Sequence, residues 1–171
     1  MVEWGGACGA QAGGTAQYTR RSVTFRAARR QGCPDGRQNP AMHLKPYESV
    51  DGVPFTATRE DIVRARGRPR SEERNGVGLT ALDYGGVVYR FQDGGRLEEI
   101  TARARALHLG TVAVPFASLA AFVRAGDDAA FERAGFLVSP RYGIAFVPGE
   151  PCWVTALARH CLPQWEAMGA S

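Results

Sequence analysis

Lysine is almost missing from this chain: Lys45 stands alone against 20 arginines in 171 residues. Histidine is scarce too, with only His43, His108 and His160, and no His-x-x-x-His or Glu-x-x-His spacing occurs. Helical metal-hydrolase chemistry, which sets two imidazoles one turn apart, therefore has no foothold. The four cysteines, Cys8, Cys33, Cys152 and Cys161, include no Cys-x-x-Cys pair, which argues against a structural zinc site. They read as free, partly buried thiols in a reducing cytoplasm. No apolar run approaches the ~20 residues that a membrane helix requires, so no membrane is expected as a partner. Gly76-Val77-Gly78 and Gly85-Gly86 precede no long helix, which excludes a phosphate-binding loop. No cofactor, no metal and no catalytic residue are expected.

What is present describes an ordinary globular chain, 44% hydrophobic and 22% charged. The net charge of +4 is unevenly spread. Residues 1–41 hold Arg20, Arg21, Arg26, Arg29, Arg30 and Arg37 against Glu3 and Asp35, while the remainder is balanced. A basic excess confined to one end, with few interleaved aromatics, does not describe a nucleic-acid surface. That end also carries seven glycines and few aliphatic residues. It can bury too little to offset ordering entropy of about 1–2 kcal/mol per residue. Residues 1–41 are expected to be a disordered tail or a mis-annotated start ahead of Met42, with a basic arm as the third reading.

Residues 42–171 read as one α+β domain. Residues 43–50 form an extended lead-in ended by Asp51-Gly52. Thr58 caps a short helix over residues 59–66, with Glu60 and Asp61 at its positive end and Gly67 and Pro69 stopping it. Residues 71–78 are a polar loop. Strands follow over 79–84 and 86–91, where alternation from Val87 to Phe91 puts Tyr89 and Phe91 inward. Asp93-Gly94-Gly95 turns the hairpin, and Glu98 and Glu99 break the alternation of residues 97–102, which predicts a bulge. Val114-Pro115-Phe116 then echoes Val53-Pro54-Phe55. A helix over 118–125 follows, then a connector over 131–135 and strands over 136–138, 142–147 and 152–157. Two similar helix-loop-strand-strand halves, about 53–102 and 114–158, are expected to form one antiparallel sheet with both helices on one face.

The text "DGVPFTATREDIVRARGRP … LDYGGVVYRFQDGGRLEEI" resembles small bacterial domains related to beta-lactamase-inhibitor protein and to outer-membrane assembly lipoproteins of the SmpA/OmlA type. The matching places are Phe55, Thr58, Ile62 or Val63, Gly67 and Pro69. The stretch "ERAGFLVSPRYGIAFVPGEPCWVTAL" is similar to uncharacterised bacterial proteins of the immunity-like kind. Neither Cys8 nor Cys33 has the apolar run of a lipoprotein signal, a departure from the assembly lipoproteins. The resemblance implies a structural frame and a binding role.

The functional expectation is a non-enzymatic, cytoplasmic protein-binding module, in its most specific form an immunity-like inhibitor of a toxin. Two helices covering one sheet face would leave the other as a contact surface, anchored by aromatic and arginine side chains. The candidates are Tyr84, Arg90, Tyr142 and Trp153, with Arg68 and Arg70 at the rim. Guanidinium forks there would hold carboxylates of an acidic partner. Asp83, Asp127 and Asp128 lie beside glycines or helix stops and read as turn-shaping acids. The alternative is a ligand-binding or enzymatic domain with a pocket between the halves, for which an acid, a histidine and a cysteine would have to meet in one cleft.

Overall fold

The computed structural model describes residues 41–75, 78–150 and 152–168. The expectations for residues 1–40 lie outside these, as does most of the Gly76-Val77-Gly78 motif. In chain order the elements are β1 (Met42–Lys45), β2 (Ser49–Val50), β3 (Val53–Pro54), α1 (Arg59–Arg66), β4 (Ser71–Arg74), β5 (Leu79–Asp83), β6 (Val87–Gln92) and β7 (Leu97–Arg103). They continue as β8 (Ala106–Leu109), β9 (Val112–Pro115), α2 (Phe116–Gly126), β10 (Phe131–Arg133), β11 (Phe136–Ser139), β12 (Ile144–Phe146) and β13 (Trp153–Leu157). A 3-10 turn, Arg159–Cys161, leads into α3 (Leu162–Ala167).

The expected single sheet with helices on one face is overturned. Among the described residues thirteen strands build two sheets, and the helices are few and short. One sheet has the order β3-β2-β1-β8-β9, and the other runs β10-β11-β12-β13-β7-β6-β5-β4. The strands that the sequence hides explain the error. Ser71, Glu72, Glu73 and Arg74 are all exposed, yet β4 pairs along its whole length with β5. Its backbone hydrogen bonds, not its side chains, make it a strand, as suits a polar sheet edge. Residues 131–133 are also a strand, with Ala134 and Gly135 at φ 49° and 87° making the tight turn that pairs β10 with β11.

α1 and α2 are each followed by a four-strand antiparallel meander, and the two meanders join where β7 pairs with β13. The smaller sheet is built from the segments that precede α1 and α2. Among the described residues its one parallel contact is β1 with β8, placing His43 beside His108.

The sheets share a core. Met42, Leu44, Leu107 and Val114 from the smaller sheet pack with Leu82, Tyr89, Ile100, Val154 and Phe146 from the larger, joined by Ile62 of α1 and Leu119 and Val123 of α2. Tyr89 and Phe91 are buried on this face, as their alternation predicts. The register slips between Arg90 and Phe91, opposite the Glu98-Glu99 pair, so the bulge is also present. On its other face the larger sheet carries a second cluster, in which Trp165 of α3 packs with Val138, Ala145, Leu157 and Cys161. Among the described residues no helix is long and apolar enough to cross a membrane.

Candidate functional site

Four of the six candidate residues gather at one end of the larger sheet. Strand pairing sets Trp153 opposite Arg103, whose guanidinium lies 4.9 Å over the indole. The Arg103 N–H donates to the Gly86 carbonyl at 2.9 Å, which brings the β5–β6 turn alongside. That turn closes through Tyr84 N–H to Val87 O, with Gly85 at φ 87°. A Cβ on Gly85 would collide with the Arg70 guanidinium, so this glycine makes room for the arginine as well as for the turn. Arg70 is held there by its own N–H, which donates to Asp83 O at 2.7 Å.

Tyr84 ties the turn to α1 through its hydroxyl, which donates to the Gly67 carbonyl at 3.0 Å. Partial burial pushes its phenol up, and Arg66 and Arg59 pull it partly back. Arg68 follows directly and is exposed. The result is a rim running Trp153, Arg103, Gly85-Gly86, Arg70, Tyr84 and Arg68. Among the described residues no carboxylate is paired with Arg68, Arg70 or Arg103, whereas Arg59, Arg64 and Arg74 each have an acidic partner. Three unpaired guanidinium groups beside two half-exposed aromatic rings can clamp carboxylates and stack on flat groups.

Arg90 and Tyr142 do not join this rim. Arg90 is only 4% exposed, so it cannot anchor a partner. Its guanidinium donates to Thr101 Oγ1 at 2.7 Å and lies 3.7 Å from the Glu99 carboxylate. Burial pulls its pKa below the ordinary value, while Glu99 and Asp83 act in the opposite direction. Thr101 in turn meets Thr155 at 3.0 Å, and the Trp165 indole N–H reaches Glu99 at 3.3 Å. The period-2 register explains the misplacement: Arg90 faces away from the shared core but under a covered face, and alternation alone cannot tell a covered second face from an open one. Tyr142 sits at the opposite end of the sheet, stacked on Phe122 at 5.2 Å, with its hydroxyl over Gly126.

An acid, a histidine and a cysteine do meet. Glu98 accepts from Arg96 and contacts His160 Nε2, each at 2.6 Å, and the Cys161 sulfur lies 3.2 Å from the same carboxylate. Both Cys152 and Cys161 are disulfide-bonded, which corrects the expectation of free thiols. The Cys161 sulfur thus has no proton to give and no thiolate to attack with or to ligate a metal. Glu98 is 1% exposed, and its carboxylate is occupied by Arg96 and His160. This cluster locks the 3-10 turn to β7. Asp127 is likewise structural: buried, it accepts from Ala129 N–H, Arg141 N–H and the Ser139 hydroxyl.

The open sheet face that sequence reasoning sought belongs to the smaller sheet. Its outer side exposes His43 and Lys45, and His108 stands beside His43. A shallow depression of about 470 Å³ there is lined by both histidines, Lys45, Glu48 and Ser49. Arg103 and this histidine pair were missed. For Arg103 a signal existed, since extending the strand one residue beyond Ala102 aligns it with Trp153. The histidines lie 65 positions apart and no local pattern links them. Comparison with protein-family models, with curated proteins and with solved structures finds no match.

Proposed function

We infer that this chain is a non-enzymatic protein-binding module whose contact surface is the arginine–aromatic rim at one end of the larger sheet. The observation that carries the reading is the convergence of Trp153, Arg103, Arg70, Tyr84 and Arg68 from four separate segments. Interface hot spots draw on the same residue types, tryptophan, tyrosine and arginine. Positive charge without carboxylate partners favours an acidic protein surface. An immunity-like inhibitor that binds an acidic toxin is the most specific form of this proposal. The alternative, an enzyme or small-ligand domain, loses its nucleophile because Cys161 is disulfide-bonded.

A cytoplasmic setting drew on free thiols. With Cys152 and Cys161 disulfide-bonded, an oxidising compartment fits the reading better. Alkylating free thiols in intact cells, before lysis, decides between the two.

The test is affinity capture with the full chain from extract of the cell that makes it, followed by titration of the purified partner. A standard interface would bury about 1,600 Å². Trp153→Ala should weaken binding by about 2 kcal/mol, roughly thirtyfold. Joint Arg68→Ala and Arg70→Ala changes should slow association and reduce its salt dependence. Tyr142→Ala and His160→Ala should leave affinity unchanged. Equal affinity of the Trp153 and arginine variants would remove the rim from the interface.

A further inference from the structure

On the outer face of the smaller sheet, two histidines distant in sequence stand side by side. The parallel pairing of β1 with β8 sets His43 in register with His108, and their rings lie 4.6 Å apart, tilted by 39°. Parallel neighbours in register point their side chains to the same face, so the contact follows from the backbone. The chain has only one other histidine, His160, and it belongs to the Glu98 cluster.

His43 is also oriented. Asp51 and Gly52 make the tight β2–β3 turn with φ 48° and 80°, both positive as a two-residue hairpin loop requires. Asp51 is pinned to β1 from two sides: its N–H donates to His43 O at 2.8 Å, and its carboxylate accepts from His43 N–H at 2.8 Å. The same carboxylate oxygen lies 3.5 Å from His43 Nδ1. The carboxylate thus lies close to the imidazole while its hydrogen bond goes to the His43 backbone. A carboxylate beside the ring of a metal-ligating histidine can orient it from behind. Glu48 lines the same depression and adds negative charge, while Lys45 opposes it. The face is open, so water can fill the remaining positions.

We propose that His43 and His108 form a divalent transition-metal site, with Asp51 positioning His43 and solvent completing the coordination shell. Imidazole nitrogens at an open site suit zinc, copper or nickel rather than magnesium or calcium, which prefer all-oxygen shells. Two protein ligands make an exchangeable site, not a closed structural one.

Zinc ion alone is the probe, titrated into the full-length protein and followed by calorimetry and by the imidazole resonances. One equivalent should move the His43 and His108 rings together and leave His160 in place. Either His43→Gln or His108→Gln should weaken binding at least tenfold, and Asp51→Asn should weaken it by about tenfold through the lost orienter. Both histidines lie on the solvent side of the sheet, and unchanged thermal unfolding of the variants verifies that folding is intact. Absence of binding at millimolar zinc, or full binding retained in the double glutamine variant, overturns the proposal.

Discussion

The Arg90–Glu99 pair offers the sharpest test of how the larger sheet is built. Its side chains are 5% and 2% exposed and lie 3.7 Å apart. At that separation the gross attraction is about 4–5 kcal/mol for an effective dielectric near 20. Desolvating the two ions costs a similar amount, so the pair itself contributes little net stability. Removing one partner is different, because the other charge stays buried without its counterpart in the pair. Arg90→Met or Glu99→Met alone should each cost about 3–5 kcal/mol. The double substitution should cost only about 1–2 kcal/mol, because neither charge of the pair is then left buried and Thr101 keeps Thr155 as a partner. Urea unfolding midpoints at constant slope measure all three. Costs that add to within ~0.5 kcal/mol, with the double variant the least stable, would refute the buried-pair reading.

Two further outcomes follow from the local structure. Phe91→Ala, at a site 2% exposed in the shared core, should cost about 3–5 kcal/mol in denaturant unfolding, and a loss of surface size would mean the hairpin faces the other way. At the start of α1, Thr58 Oγ1 accepts from Asp61 N–H while the Asp61 carboxylate accepts from Thr58 N–H and its hydroxyl. Those Thr58 bonds, with Arg64, hold Asp61 below the usual carboxylate range. A carboxyl depressed in the folded state stabilises above its unfolded pKa, and the gain disappears as pH falls through the folded value. Loss of the N-cap in Thr58→Ala should cost about 1 kcal/mol at pH 7. The gap to the parent should narrow on acidification below about pH 4, measured by thermal unfolding across pH.

Local chemistry was legible in the residues wherever one segment decides the outcome alone. Thr58, Asp61 and Gly67 determine both ends of α1, because capping needs only a few consecutive residues. Alternation from Val87 to Phe91, and its interruption at Glu98-Glu99, determines which side chains face the core and where the bulge falls. The arginine and aromatic anchors Arg68, Arg70, Tyr84 and Trp153 were legible as residue types. Their gathering at one rim was not, since it depends on β7 lying between β6 and β13.

Tertiary structure alone decided the number of sheets. Polar edge strands such as β4 exist through backbone pairing and leave no side-chain pattern. It also decided that Arg90 is buried, because a strand's period of two assigns a residue to a face but does not say whether that face is covered. Most of all it decided the meeting of His43 with His108, 65 positions apart. Parallel pairing of distant strands is set by packing two amphipathic segments over one core, and the outward-facing residues they carry come together as a consequence.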